Sequence, residues 1–480
     1  MPQPALRLLA LGLLAAAVGL ACSRTPEPEA EPAPVPASPA ASPGSTAAAH
    51  GKETSAQKAE RLAWWTDARF GLFIHWGLYA VPAGEWQGKR GYGEWIMEEA
   101  DIPKAEYERL AERFNPVKYD PEAWARAAKD AGMKYVILTS KHHEGFAMWD
   151  TQGTDYNIAR RTPYGKGVIE PLAEAARRQG LHFGVYYSIM DWHDPSQRES
   201  KPGALNPTLI DPAQKARYVR DMKTELRELV ERADVDVLWF DGEWVDWWTQ
   251  EDARDLEAFL RGLKPDIIIN NRIFNSREGS MAGISPTGMP GDFHTPEQEV
   301  PAKGLGPGNY WESCMTMNQK WGFVNDSEAD WKSTGVLLRH LIDSASKGGN
   351  FLLNVGPTAE GEFPQRALQR MAGIGRWMQI NGEAIHGTSA TPLEQTPAWG
   401  RITRKPAEGG AAERLYLHVF DWPRDDVLRL PLAQAVSSAR LLADPDARIG
   451  IDQGDGELRL RLPAAAPDPE VSVVRLDLSP

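Results

Sequence analysis

The chain has 480 residues, and its 42% hydrophobic and 25% charged content is ordinary for a globular protein. A formal net charge of −13 and the lack of a long basic run argue against a surface that binds nucleic acid or an anionic membrane. This length predicts two or three domains, although one barrel domain can account for about half of it.

The first 22 residues predict a signal peptide for export. Residues 8–21 are all Leu, Ala, Gly or Val, and they are too few to span a bilayer comfortably. Residues 19–22, Gly-Leu-Ala-Cys, resemble a bacterial lipoprotein box, although Gly stands where Leu is usual. Lipidation of Cys22 is one hypothesis, and ordinary cleavage after Ala21 is the other. We expect an exported bacterial protein, either periplasmic or a lipoprotein of the outer membrane or cell surface.

Residues 23–54 predict a disordered tether, because they are mostly Pro, Ala, Glu and Ser with almost no large apolar group. A tether favours the lipoprotein hypothesis, since a domain that is anchored to a membrane at Cys22 needs a linker to extend away from it. The protein would then contact a membrane only through the anchor at Cys22. The one other cysteine is Cys314, so lipidation of Cys22 would leave no partner for an internal disulfide.

Residues 55–388 alternate short apolar runs with helical patterns. One helix is predicted to begin at Pro121, and others to span residues 211–232, 251–263 and 364–380. Repeated βα units predict a parallel sheet with right-handed crossovers. The seven runs, allowing for one missed strand, favour an α/β fold of the (β/α)8-like barrel type. The runs are Gly71–Gly77, Lys134–His143, His182–His193, Val235–Asp241, Asp266–Arg272, Tyr310–Met317 and Asn350–Pro357.

Each apolar run ends in polar or aromatic residues, which a stable core does not require. In a parallel barrel the carboxyl ends of the strands meet at one face, where such residues would line a pocket. We interpret as strand ends His75-Trp76-Gly77, Lys141-His142-His143, Asp191-Trp192-His193, Asp241-Gly242-Glu243, Asn270-Asn271-Arg272, Trp311-Glu312-Ser313 and Asn354-Val355-Gly356.

Residues 389–480 predict a C-terminal antiparallel β-sandwich. Short strand-like runs between Pro, Gly and Asp turns replace the βα pattern here. The region contains no catalytic constellation, so we interpret it as a packing or stabilising domain, with sugar binding as the alternative. The runs are Leu415–Val419, Val427–Leu430, Ala439–Leu442, Leu458–Leu462 and Val471–Leu478.

Asp241 is the first catalytic candidate. Alternation predicts a buried strand with Val235, Val237 and Trp239 on one face. Asp241 continues that face at the C-terminal end of the strand, where parallel α/β folds carry out their chemistry. A carboxylate that caps the following helix is the alternative interpretation.

Breaking a glycosidic bond requires a second carboxylate, which donates a proton. Residues 291–299 have the composition of a loop, and prolines flank them. Glu297 would reach over the barrel mouth from this mobile loop. A solvated loop glutamate is the alternative, and Glu299 and Glu312 are rival acids.

His142 and His143 form a further candidate group. Adjacent side chains on a strand point to opposite faces, so both reach one pocket only if the strand has ended before them. Zinc binding is disfavoured, because Gly77 follows His75 where a second histidine ligand would be expected. Neutral histidines suit hydrogen bonds to sugar hydroxyls better. Arg272 offers a donor fork for a hydroxyl or a carboxylate, or else forms a structural ion pair.

Together these segments resemble the α-L-fucosidases of glycoside hydrolase family 29 over most of residues 60–388. Many separate motifs in the order of the family argue against chance. The similar segments are Trp65–Gly77, Gly93–Trp95, Phe114–Pro116, Ala131–Phe146, Gly184–Ser188, Leu238–Gly242, Gly291–Glu297, Trp311–Trp321, Gly348–Thr358 and Ile380–His386.

The resemblance implies a retaining, two-step hydrolysis of fucosylated glycans or glycoconjugates without a metal or organic cofactor. It implies that Asp241 is the nucleophile and Glu297 the proton donor. It also implies that the fucose contacts include His75, Glu94, Trp95, His142, His143, Tyr186 or Tyr187, Trp239, Arg272 and Trp321. A retaining glycosidase for a related sugar, such as a galactoside, and a non-catalytic sugar-binding protein are the alternatives. The sequence makes no prediction of oligomeric state.

Overall fold

The computed structural model describes residues 53–197, 212–275, 285, 291–393 and 395–479. The predicted signal peptide, Cys22 and nearly all of the predicted tether lie outside these ranges. No helix within them has both the length and the apolar composition needed to cross a membrane.

The described residues form both helices and strands up to residue 381 and, after a short 3₁₀ helix at Gly382–Ala384, strands. The helices are α1 (Ser55–Arg61), α2 (Ala63–Ala68), α3 (Ile96–Glu99), α4 (Lys104–Glu108), α5 (Pro121–Asp130), α6 (Ile158–Arg161), α7 (Ile169–Arg178), α8 (Pro212–Ala233), α9 (Gln250–Leu263), α10 (Thr334–Ser346) and α11 (Gln365–Asn381). The strands are β1 (Phe70–Ile74), β2 (Glu85–Trp86), β3 (Lys89–Arg90), β4 (Tyr135–Lys141), β5 (His182–Ser188), β6 (Val237–Asp241), β7 (Ile268–Ile269), β8 (Glu312–Thr316), β9 (Asn350–Val355), β10 (Gly400–Lys405), β11 (Arg414–Val419), β12 (Val427–Pro431), β13 (Val436–Leu441), β14 (Gly450–Gly454), β15 (Glu457–Arg461) and β16 (Ser472–Leu478).

Seven parallel strands form the main sheet, in the order β7-β6-β5-β4-β1-β9-β8. The extended segment 291–298 lies between its two edges. On one side the N–H of Asn271 donates to the carbonyl of Phe293 at 2.9 Å, and on the other the N–H of Gln298 donates to the carbonyl of Cys314 at 2.9 Å. This segment therefore takes the place of the eighth strand, and the predicted (β/α)8-like barrel is confirmed. No regular strand is assigned within residues 291–298, as the loop composition predicts, and isolated parallel bridges join the segment to both edges of the sheet.

Alternation along β6 separates the barrel interior from the surrounding helices. Val237 and Trp239 pack inside the barrel, whereas Leu238 and Phe240 pack against the helix layer. All five residues of β6 are buried, as expected for a parallel strand covered on both faces. We predicted Val235 on the same face as Val237 and Trp239, but it packs on the helix side because β6 begins only at Val237.

The predicted helices form because their ends are capped and one face is apolar. The Asp120 side chain accepts the N–H of Ala123 at 3.0 Å, and Pro121 occupies the first position of α5. Such a cap contributes about 1 kcal/mol. The helix α5 buries Trp124 and Ala128 against the barrel. The predicted helices at 211–232, 251–263 and 364–380 correspond to α8, α9 and α11 within two residues at each end.

The C-terminal region consists of two antiparallel sheets, β10-β11-β16-β13 and β12-β15-β14, around a leucine-rich core. This confirms the predicted sandwich, although β10 and β14 were missed because they carry few large apolar residues. Tyr416, Val471 and Val473 do not belong to that core but pack with the barrel's helices. The indole N–H of Trp377 in α11 donates to the carbonyl of Val471 at 2.8 Å. The proposed domain division after residue 388 falls in the connection before β10.

Candidate active site

Asp241 ends β6 at the mouth of the barrel and is 8% exposed. Its Oδ1 accepts a hydrogen bond from Nη1 of Arg272 at 2.9 Å, and its Oδ2 accepts one from the hydroxyl of Tyr186 at 3.0 Å. Nε2 of His143 lies 3.7 Å from the same Oδ2. Gly242 follows with φ +75°, and a Cβ there would meet Met190 at 2.8 Å. The chain therefore turns away sharply and leaves a rigid carboxylate facing the pocket.

Arg272 joins Asp241 to Glu297. Its Nη2 lies 2.8 Å from Oε2 of Glu297, while its Nε donates to Oγ1 of Thr295 at 2.8 Å. The guanidinium also lies 4.5 Å from the ring centre of Trp239. Burial lowers the pKa of Arg272, but Asp241 and Glu297 outweigh it and hold that pKa well above its ordinary value. One fixed cation thus holds both predicted catalytic carboxylates.

His143 presents an unprotonated nitrogen to the pocket. The hydroxyl of Ser188 donates to the carbonyl of Met190 at 2.5 Å, so its oxygen accepts the Nδ1–H of His143 at 2.7 Å. Burial and then the neighbouring His142 lower the pKa of His143 well below its ordinary value. The ring is therefore neutral, and its Nε2 can accept a hydrogen bond from a substrate hydroxyl beside Asp241.

His75 is oriented in the same way by a different partner. The side-chain amide of Asn354 donates to the carbonyl of Trp321 at 2.7 Å, so its oxygen faces Nδ1 of His75 at 2.7 Å. Burial and then His142 lower the pKa of His75 to about 3, which keeps this ring neutral too. The ring of His142 lies between them, 5.8 Å from His75 and 4.2 Å from His143. The strand β4 ends at Lys141, so both His142 and His143 reach one pocket.

The remaining predicted contacts, Glu94, Trp95 and Trp321, lie around the same pocket. Glu94 accepts the backbone N–H groups of Trp321 and Gly322, both at 3.1 Å, and burial raises its pKa. The ring of Trp95 lies 4.9 Å from that of His143, and the ring of Trp321 lies 5.0 Å from that of His75. Every predicted site residue within the described ranges therefore belongs to one connected group.

The structure separates the candidates that the sequence left open. Tyr186 contacts Asp241, whereas the hydroxyl of Tyr187 donates to Glu225 on the helix side. Glu299 is exposed, and the hydroxyl of Ser313 donates to its backbone carbonyl. The run Trp311-Glu312-Ser313, predicted as a strand end, instead begins β8. Glu312 therefore lies inside the barrel and not at its mouth.

Several pocket residues were missed by the sequence analysis. The ring of Phe73 lies 4.4 Å from that of His75 and 5.1 Å from that of Trp239. It could have been found, because it stands two residues before His75 on the same face of β1. Trp244 lies 5.5 Å from His143 and 6.3 Å from Trp95. No spacing rule identifies it, since it follows the turn at Gly242.

This arrangement supplies what two-step glycoside hydrolysis requires: two carboxylates, neutral hydrogen-bonding groups and an apolar wall. Within the described ranges, no cluster of three or more His, Cys, Asp or Glu side chains is arranged to hold a metal ion.

Comparison with known proteins gives one family. The α-L-fucosidase family model matches residues 39–383. Tissue α-L-fucosidase of Bos taurus is 30% identical over 400 residues, covering 79% of this chain and 80% of the relative. An α-L-fucosidase structure from Paenibacillus thiaminolyticus has a TM-score of 0.75 at 37% identity, covering 89% of this chain and all of that one. A family 29 structure from Bacteroides thetaiotaomicron, a trapped covalent intermediate with 2-fluoro-fucosyl fluoride, has a TM-score of 0.79 at 29% identity, covering 88% and 96% of the two chains. The chain therefore belongs to the α-L-fucosidases of glycoside hydrolase family 29.

Proposed function

We propose that this protein hydrolyses α-L-fucosides through Asp241 as the nucleophile and Glu297 as the acid and base. Retaining hydrolysis is the mechanism of its family. The observation that carries the residue assignment is the guanidinium of Arg272, which binds Asp241 at 2.9 Å and Glu297 at 2.8 Å. In retaining glycosidases two carboxylates face each other across the anomeric carbon at about 5–5.5 Å. A shared cation at the mouth of the barrel is consistent with that spacing.

In the first step a carboxylate oxygen of Asp241 bonds to the anomeric carbon while the bond to the leaving oxygen breaks. Glu297 gives its proton to that oxygen. In the second step Glu297 takes a proton from water, whose oxygen bonds to the anomeric carbon as the ester to Asp241 breaks. The carboxylate of Asp241 is thereby restored, and the sugar leaves with its original anomeric configuration.

Fucose recognition follows from the mixed chemistry of the pocket. The unprotonated nitrogens of His75 and His143 accept hydrogen bonds from sugar hydroxyls, and Glu94 offers a carboxylate oxygen. Fucose is a 6-deoxy sugar, so its methyl group requires an apolar surface. The rings of Phe73 and Trp321, whose centres are 6.0 Å apart, supply one.

Trapping tests the nucleophile directly. The wild type is treated with 2-fluoro-fucosyl fluoride, digested and mapped by mass spectrometry. The label is expected on the peptide that contains Asp241, and Asp241→Ala is expected to remain folded, unlabelled and inactive. A label on another carboxylate would overturn the assignment.

A panel of nitrophenyl glycosides separates the fucosidase from a retaining galactosidase on the same scaffold. We expect turnover of the α-L-fucoside well above that of the galactosides, and turnover that is insensitive to chelator. Binding of fucose without any turnover would favour a non-catalytic sugar-binding protein instead.

Export with lipidation at Cys22 is a further part of this proposal. Support comes from the apolar run at residues 8–21 and the segment 23–54 that follows. In bacteria that express the full chain, the wild type is expected in the membrane fraction and Cys22→Ser in the soluble exported fraction. Equal release of both would indicate ordinary cleavage after Ala21.

A further inference from the structure

Glu312 is a buried carboxyl group that the proposed mechanism does not use. It is the first residue of β8, is 0% exposed, and lies inside the barrel among aromatic side chains. The indole N–H of Trp239 donates to its Oε1 at 3.1 Å, and the hydroxyl of Tyr135 binds its Oε2. The indole N–H of Trp65 also points toward this carboxyl group, but its geometry does not meet the criteria for a hydrogen bond. A carboxyl group at such a position is expensive to bury, so its partners require an explanation.

The surroundings of Glu312 contain no ion-pair partner within the described ranges. The titratable groups that face it are the phenol of Tyr135 and the thiol of Cys314, both neutral. Arg69, which interacts electrostatically with Tyr135, donates to the carbonyls of Gly348 and Thr388. Burial raises the pKa of Glu312 to about 7, against the smaller opposing effect of its hydrogen bonds. A structural ion pair is therefore not its role.

The partner that connects Glu312 to the active site is Trp239. One face of this indole lies 4.5 Å from the guanidinium of Arg272, and its ring stacks with that of Tyr186 at 5.7 Å and 20°. Arg272 donates to one oxygen of Asp241 and Tyr186 to the other. One indole therefore packs against both of these donors.

We propose that Glu312 is a positioning residue for the hydrolysis: by accepting the indole N–H, it fixes the plane of Trp239 and thereby the donors that hold Asp241. The proposal rests on the proposed function for its catalytic readout. Both protonation states of Glu312 retain an oxygen that accepts from Trp239, so the orientation persists on either side of neutral pH. An indole without this acceptor keeps its packing but loses a directional contact that opposes tilting.

Two substitutions separate the hydrogen bond from the packing. Glu312→Gln keeps an acceptor of the same shape, whereas Glu312→Leu fills the space without one. We expect kcat for an aryl fucoside to fall roughly 10- to 100-fold in Glu312→Leu with little change in KM, and to stay within about threefold of the wild type in Glu312→Gln. Tyr135→Phe is the matched control, because it removes the other partner of Glu312. It should lower the melting temperature but leave kcat nearly unchanged.

A double-mutant cycle with Trp239→Phe tests the route of the effect, since phenylalanine keeps a ring but has no N–H. We expect Glu312→Leu to cause little further loss of kcat in that background. Equal losses in Glu312→Gln and Glu312→Leu would overturn the proposal, as would a full additional loss in the Trp239→Phe background. If Glu312→Leu does not fold, Trp239→Phe alone must show the same loss of kcat.

A readout that does not depend on turnover distinguishes this inference from the proposed function. In protein labelled with ¹⁵N at tryptophan, the indole resonance of Trp239 is assigned by its absence in Trp239→Phe. We expect it to shift strongly in Glu312→Leu and weakly in Glu312→Gln. An unchanged resonance in Glu312→Leu would refute the contact even in an active enzyme. An inactive wild type with the expected shift would refute the proposed function alone.

Discussion

The hydroxyl of Tyr186 donates a hydrogen bond to Oδ2 of Asp241 at 3.0 Å, deep in the barrel mouth. Burial and then the charge of Asp241 hold the pKa of Tyr186 well above its ordinary value, so this phenol remains a donor throughout the working pH range. The carboxylate loses its negative charge when the ester forms and regains it when the ester is hydrolysed. The hydrogen bond therefore favours the second step more than the first.

Tyr186→Phe should consequently slow hydrolysis of the ester more than its formation. We expect kcat to fall on the order of tenfold or more, from a hydrogen bond to a charged group worth about 1.5–3 kcal/mol, and KM to fall with it. Intact-mass spectrometry during turnover should then show accumulated fucosyl-enzyme. A variant that is slow but never labelled would mean that the first step depends on Tyr186 instead.

Removal of the acid should affect substrates according to their leaving groups. Glu297→Ala is expected to lose about 10²- to 10⁴-fold in kcat/KM on natural linkages but little on aryl fucosides with very acidic leaving groups. Added azide should restore turnover and give a fucosyl azide with the configuration of the substrate. Glu299→Ala is the matched control, because that residue is exposed and the contact it makes with Ser313 is through its backbone carbonyl. Wild-type behaviour of Glu297→Ala on natural linkages would assign the acid elsewhere.

Local rules predicted the parts of the fold that short-range chemistry determines. Asp120 followed by Pro121 is a capping pattern, and it marks the start of α5 to the residue. The alternation in β6 predicted that Asp241 shares a face with Val237 and Trp239, since that side-chain period depends on the strand alone. The two adjacent histidines were predicted to share a pocket, and the end of β4 at Lys141 places them there.

The sequence was less informative where pairing between distant segments decides the structure. Residues 291–298 have the composition of a loop. Their place in the barrel wall depends on backbone hydrogen bonds to the segments of β7 and β8, which are distant in sequence. Alternation also could not choose between Tyr186 and Tyr187, because it defines two faces without saying which is inner. Glu312 was assigned to the barrel mouth for a related reason. The sequence does not show its buried partners, and without them a glutamate in an apolar run is interpreted as a pocket residue.

Arg272 should be necessary for stability as well as for turnover, because it is the cation shared by the buried Asp241 and the partly buried Glu297. Arg272→Met leaves Asp241 and Glu297 without that cation and is expected to cost about 3–5 kcal/mol of unfolding free energy. Arg272→Lys keeps the positive charge but not the planar set of N–H donors that reaches both carboxylates. It should therefore be more stable than Arg272→Met but lose kcat/KM by a factor similar to that of Arg272→Met. Urea denaturation and kcat/KM of both variants check this. Comparable stability of the two would show that the charge of Arg272 contributes little.

The sandwich should unfold together with the barrel, since Val471 and Val473 pack in the barrel's outer core. Leu458→Ala lies in the separate core of the sandwich and is expected to destabilise it by about 2–5 kcal/mol. If the two regions are coupled, this distant substitution lowers the temperature at which fucosidase activity is lost by the same amount as the melting temperature. Activity that outlasts melting of the sandwich would indicate independent domains.

The unfolding free energy should also depend on pH through the titration of Glu312. Its pKa is about 7 in the folded protein against an ordinary value of 4.5, so the native state holds a proton that the unfolded chain releases between these pH values. The stability that this group contributes is complete below about pH 4.5 and is lost as the pH rises through 7. Glu312→Gln cannot ionise, so its unfolding free energy relative to the wild type should improve by about 2–3 kcal/mol between pH 5 and pH 8. Urea denaturation at both pH values measures the difference, with Glu299→Gln as the exposed control, and parallel curves for Glu312→Gln and the wild type would contradict it.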